Sequence, residues 1–210
     1  MLALALAVLV ASPTPAPPAL RTIQTVKSTP FCSALQRHFN AAFVPMLGNN
    51  RSLRIVGGQL DDLNGLFTRP TYASDFYVLR GHLMQQVGEI DRSLPQIGAQ
   101  IDRLRAGAAL TNDAAAREQM LATVSSLEAA YAMQKQIAYD LHGLVQSMME
   151  YDPLAHDHPA GGMDPSELGI PRDMRDIKSY LRYDSRRDTM QKAQSTAVDR
   201  ALALAQSSCQ

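Results

Sequence analysis

The sequence predicts an all-α protein, an up-down-up-down bundle of four long helical units built on a central antiparallel helical hairpin. The first observation behind this is a stripe in residues 76–104. Phe76, Arg80, Leu83, Val87, Ile90, Leu94, Ile97, Ile101 and Leu104 follow at steps of three and four, and only Arg80 is polar. Such spacing makes one helical face apolar, whereas a strand would alternate every second residue. The second is the same pattern in Met120, Val124, Leu127, Tyr131, Gln134, Ala138, Leu141, Val145 and Met148, broken only at Gln134. The third is the short stretch 105–112 between them, with Gly107, Thr111 and Asn112. Glycine suits a helix end and Thr or Asn caps the next helix, so the two arms fold back as antiparallel neighbours, in the manner of a coiled coil.

The remaining units follow from the same signals. Ser28-Thr29-Pro30 is a helix-start signal, a capping hydroxyl followed by a proline at the first helical position. Phe31, Leu35, Phe39, Ala42, Phe43, Met46 and Leu47 give it an apolar face. Pro45 and Gly48-Asn49-Asn50 are expected to interrupt it, leaving two collinear or bent helices over about 30–47 and 51–67. Residues 150–171 are rich in Pro and Gly and read as a long loop, with one capped helical turn at Asp164-Pro165-Ser166-Glu167. Residues 172–208 read as helical, with a charged break near Ser185 and a stripe resuming at Met190, Ala193, Ala197, Ala201 and Leu204. Gly81, Gly88 and Pro95 recur on one side of the first arm, most simply as an outer face of poor helix formers.

The chain has 210 residues, long enough for one substantial core, and residues 28–209 read as a single helical-bundle domain. Residues 1–19 read as a signal peptide or apolar leader followed by a Pro-rich linker. The run Met1 to Ala11 matches the hydrophobic core of a secretory leader and is too short to span a bilayer, so no transmembrane span is expected. No Lys or Arg precedes that run, and prolines crowd the region where cleavage would fall. Two cysteines, Cys32 near the start of the mature chain and Cys209 one residue from its end, suggest a disulfide. In the bundle both fall at one end, beside the 105–112 turn, with the long loop at the other. The expected location is therefore exported, periplasmic or extracellular.

Charge is balanced, with 20 basic and 20 acidic residues, and there is no Trp. No nucleic-acid partner is implied, since the electrostatic footprint of phosphate binding is missing. One constellation has metal-site chemistry. His156 and His158, two apart in the long loop with Met163 nearby, could ligate copper or zinc. The simpler reading is a solvated, proline-flanked loop. His38, His82 and His142 share no seam position, and no Glu-x-x-His pair, Gly-x-Ser-x-Gly elbow, His-Glu-x-x-His or phosphate loop occurs. No catalytic residue is assigned and no enzyme is expected. Two functional classes lead: an exported structural or interaction protein using an apolar helix face, and a periplasmic metal-binding protein using the 151–171 loop; a third, enzymatic reading would need a site assembled from scattered residues.

Overall fold

The computed structural model describes residues 22–68, 73–154, 162–174 and 176–210. Among these there is no strand, and the helices pack as an all-α bundle. Four long helices form it: α1 (Pro30–Leu66), α2 (Ala73–Gly107), α3 (Ala114–Glu150) and, after the one-turn α4 (Ile177–Tyr180), α5 (Tyr183–Ser208).

The first three long helices are 37, 35 and 37 residues, so each is about 55 Å long at 1.5 Å per residue. The stripes foreseen from spacing form the core. Phe76, Leu83, Val87, Ile90, Ile97, Ile101 and Leu104 are buried on α2, and Met120, Val124, Leu127, Ala138, Leu141, Val145 and Met148 on α3. Each fully buried Leu, Ile or Phe contributes about 1.5–3 kcal/mol relative to exposure, which is what holds helices too long and too polar outside to persist alone.

The central hairpin is not the tightest pair. α1 packs most extensively on α2, and α3 on α5; α2 against α3 comes next, and α1 touches α5 only lightly. Ala197, Ala201 and Ala205 of α5 are all buried, and side chains this small suit close helix packing. The thin α1–α5 side is closed by other means. Asn50 and Gln194 exchange hydrogen bonds across it at 2.7 and 3.2 Å. At one end residues 22–29 run back along α1. Ile23 is fully buried there, its N–H donating to Asn40 and its carbonyl accepting from the same side chain.

Several boundaries differ from expectation, each for a local reason. α1 is one helix through Pro45 and Gly48-Asn49-Asn50 rather than two. Both asparagines find side-chain partners on other helices, Asn49 on Ser93 and Gln134 and Asn50 on Gln194, so neither bends the backbone to satisfy itself. The cap of α3 is Asp113, not Thr111 or Asn112, with its carboxylate accepting from the N–H groups of Ala115 and Ala116. The tail is broken at Arg182, where φ is 50°, three residues before Ser185, and the helix preceding it is only α4. α2 continues through Pro95.

The two polar interruptions of the stripes are accounted for. Gln134 is fully buried and donates to the Met46 carbonyl at 3.0 Å while accepting from Asn49. Arg80 donates to the Met148 carbonyl in the last turn of α3, where a cation complements the helix dipole.

Candidate functional site

The disulfide and the metal-site residues nominated from sequence fare differently. Cys32 and Cys209 are joined by a disulfide with 5.6 Å between Cα atoms, closing a separation of 177 residues. Both are buried, and the Cys209 carbonyl accepts from the N–H groups of Val26 and Lys27, each at 3.0 Å. The strap of residues 22–29 is thus tied to α5 as well as to α1. This end of the bundle also carries the α2–α3 turn, since a Cβ on Gly107 would stand 2.9 Å from that of Ala34.

His156 and His158 lie outside the described residues. Met163 is described: its side chain is buried in the apolar core, and its N–H donates to the Leu66 carbonyl at 2.9 Å. Gly162 before it has φ 78°, and a Cβ there would stand 2.7 Å from the Phe67 carbonyl carbon, so this step in the chain requires glycine. Met148 is core and Met149 is exposed. Among the described residues no three His, Cys, Asp or Glu gather as a cation site. The helical histidines stay apart. His38 bonds Gln100 at 2.8 Å, His142 pairs with Asp91, and His82 is exposed.

What the structure does assemble is a groove along the second half of α3. Its opposite wall is built by Leu168, Gly169, Ile170, Tyr180, Leu181 and Arg186, which the sequence brings there through a chain of short-range devices. Asp164 caps the 3-10 turn Pro165–Leu168, accepting from the Ser166 N–H, and Gly169 with φ 71° turns the chain out of it. Leu168 and Ile170 are thereby buried. Asp176 then caps α4, which is fastened to α1 by Asn64 and by the Lys178–Asp61 ion pair at 2.6 Å. The left-handed Arg182 redirects the chain into α5.

The groove encloses about 850 Å³. Gly143, Leu144, Leu168 and Ile170 line its floor, and Tyr139, Met149 and Tyr180, all exposed, line its rim. Nothing lies within 4 Å of where a Cβ of Gly143 would be, so α3 presents bare backbone there. A smaller hollow of about 360 Å³ shares Ser147, Leu168 and Gly169 and adds Glu150, Tyr151 and Glu167. Charge inside the groove is internally neutralised, because Arg186 of α5 pairs with Asp140 of α3. Glu150 and Glu167 both line the hollow. Burial, followed by the neighbouring Glu167 carboxylate, pushes the Tyr151 phenol above its usual range.

The groove thus sets exposed Tyr139, Met149 and Tyr180 around a floor of buried Leu144, Leu168 and Ile170. No family model matches the chain, and neither a curated protein nor a solved structure does. Sequence reading missed the groove because its walls lie in separate stretches, 139–150 and 168–186. The available signal was that Tyr139, Met149 and Tyr180 are large apolar residues lying off the core stripes.

Proposed function

We propose that the chain is an exported, disulfide-clamped helical scaffold that acts by binding another protein and not by catalysis. The observation that carries this reading is the gathering of exposed Tyr139, Met149 and Tyr180 around one groove, outside a core whose stripes are otherwise closed on themselves. Exposed apolar side chains scattered singly mean little, but a set rimming a concave surface marks an interaction site. Two observations support export. The run at residues 1–11 has the length and character of a secretory leader. A disulfide closing nearly the whole chain fits an oxidising compartment. Among the described residues no helix is long and apolar enough to cross a membrane.

The test is a photo-crosslinking amino acid placed at Tyr139, at Met149 and, as a control, at Gly88 on the outer face of α2, in protein exported by a host with an oxidising envelope. Expected is a discrete adduct of defined mass at Tyr139 and Met149, absent at Gly88. Adducts absent from all three positions would contradict the scaffold reading.

A further inference from the structure

We propose that the Cys32–Cys209 bond is a redox latch. Closed, it holds the end of α5 against Val26 and Lys27 of the strap; reduced, it lets the two part while residues 23–25 stay on α1. The device belongs to the disulfide end of the bundle and does not depend on the binding of a partner.

The strap of residues 22–29 is anchored in two separate ways. Its first half is fixed by α1 alone. Ile23 is fully buried, with its N–H and its carbonyl both engaged by Asn40. The Thr25 N–H and hydroxyl both donate to the Gln36 side-chain oxygen, at 3.1 and 2.7 Å. Asn40 and Gln36 stand on α1 and owe their positions to that helix, whatever the oxidation state of the cysteines. The second half has a different support. The N–H groups of Val26 and Lys27 both donate to one acceptor, the Cys209 carbonyl. Val26 is 81% exposed, and Lys27 and Ser28 are exposed as well, so apolar burial adds little there.

The Cys209 carbonyl is held in place by the disulfide. Cys209 follows Ser208, the last residue of α5, and helix ends fray. The apolar face of α5 stops at Leu204 and Ala205, both buried, and Gln206 and Ser207 are exposed. Beyond them Cys209 is buried, and what ties it to α1 is its bond to Cys32. Elsewhere α1 and α5 touch only lightly. Once that bond is cut, two hydrogen bonds join segments that water can solvate in their place, and such bonds contribute little net stability.

The chemistry is thiol–disulfide exchange with a dithiol. A thiolate of the reductant attacks one sulfur of the pair, giving a mixed disulfide and releasing the other cysteine. Its second thiol then displaces the remaining cysteine. Cys32 and Cys209 end as thiols and the reductant as a disulfide. The same exchange run backwards closes the latch, so the opening is reversible.

The test is the backbone order parameter of each amide in nitrogen-15-labelled protein, measured oxidised and after reduction by dithiothreitol. Expected in the oxidised protein are values near about 0.85 for Ile23, Thr25, Val26 and Lys27, as in rigid backbone. After reduction Val26, Lys27 and Cys209 are expected to fall below about 0.6, whereas Ile23 and Thr25 keep their values. The variant Cys32→Ser/Cys209→Ser is expected to show the reduced pattern with no reductant present. Val26 and Lys27 remaining rigid in the reduced protein would overturn the proposal. Ile23 and Thr25 loosening together with them would overturn it too, since the strap would then leave α1 as one unit.

Discussion

Tyr183 seats its ring against Gly57, its Cε1 3.4 Å from where a Cβ of residue 57 would stand, and its hydroxyl donates to the Leu53 carbonyl one turn earlier. The first residue of α5 is thereby locked to the middle of α1 on the side of the bundle where those two helices otherwise touch least. A helix-interior glycine costs roughly 1 kcal/mol relative to alanine. Here it leaves the space that the buried tyrosine occupies.

Gly57→Leu is expected to destabilise by about 1–3 kcal/mol through overpacking, and Tyr183→Phe by about 0.5–1.5 kcal/mol through the lost hydrogen bond. Gly57→Ala falls at ordinary contact distance and is expected to be near neutral. Denaturant midpoints at constant m-value read all three.

The other glycines separate into two groups. Gly48, Gly81 and Gly88 lie inside helices with nothing within 4 Å of a built Cβ, and alanine at each is expected to stabilise by about 0.4–1 kcal/mol. At Gly107 the Cβ would stand 2.9 Å from that of Ala34, so Gly107→Ala is expected to destabilise by about 1 kcal/mol or more. Thermal midpoints that move in the same direction for both groups would be inconsistent with this packing.

Much of this architecture is legible in the sequence because helix periodicity reports a buried face directly. Phe76 to Leu104 and Met120 to Met148 could be read that way, and Thr29 does cap α1, accepting from the Cys32 N–H. What is not legible depends on partners distant in sequence. Pro45 and Asn49-Asn50 look like a helix break until Ser93, Gln134 and Gln194 are placed beside the asparagines. The packing of Ile23 on α1 and the break at Arg182 carry no periodic signal. The groove depends on where Leu168 and Ile170 are carried by a loop whose composition says only that it is not helix.

The polar contact inside the bundle gives a coupled prediction. Asn49 holds both Ser93 and Gln134, so Asn49→Leu strands the Gln134 side-chain oxygen in a fully buried site, at an expected cost of about 1–3 kcal/mol. The double change Asn49→Leu/Gln134→Leu is expected to recover part of that loss, because the stranded Gln134 oxygen is gone and Ser93 still donates to the Ile90 carbonyl. A double-mutant cycle with no coupling between the two positions would contradict the contact.

Acid sensitivity should reside partly in Asp176. The Ser179 hydroxyl, together with Asn64 and the backbone of the α4 turn, holds this carboxylate below its usual pKa. A depressed folded-state pKa contributes stability above the unfolded value of about 3.9, and that stability is lost as pH falls through the folded value. Asp176→Asn is therefore expected to lower stability at pH 6 and to flatten its decline between about pH 5 and pH 2. Thermal midpoints across that range, with parallel curves for the two proteins, would count against it.

The most direct test of an exported, clamped scaffold is the intact mass of protein expressed with its leader in an oxidising compartment, with thiols alkylated before analysis. Expected is a chain that has lost its leader, is lighter by the pair of hydrogens removed on forming the Cys32–Cys209 bond, and carries no alkyl group. Its stability should fall by up to about 5 kcal/mol in Cys32→Ser, by the chain-entropy treatment of so long a loop. A chain retaining residues 1–11, with Cys32 and Cys209 both alkylated under native oxidising conditions, would contradict both the export and the clamp.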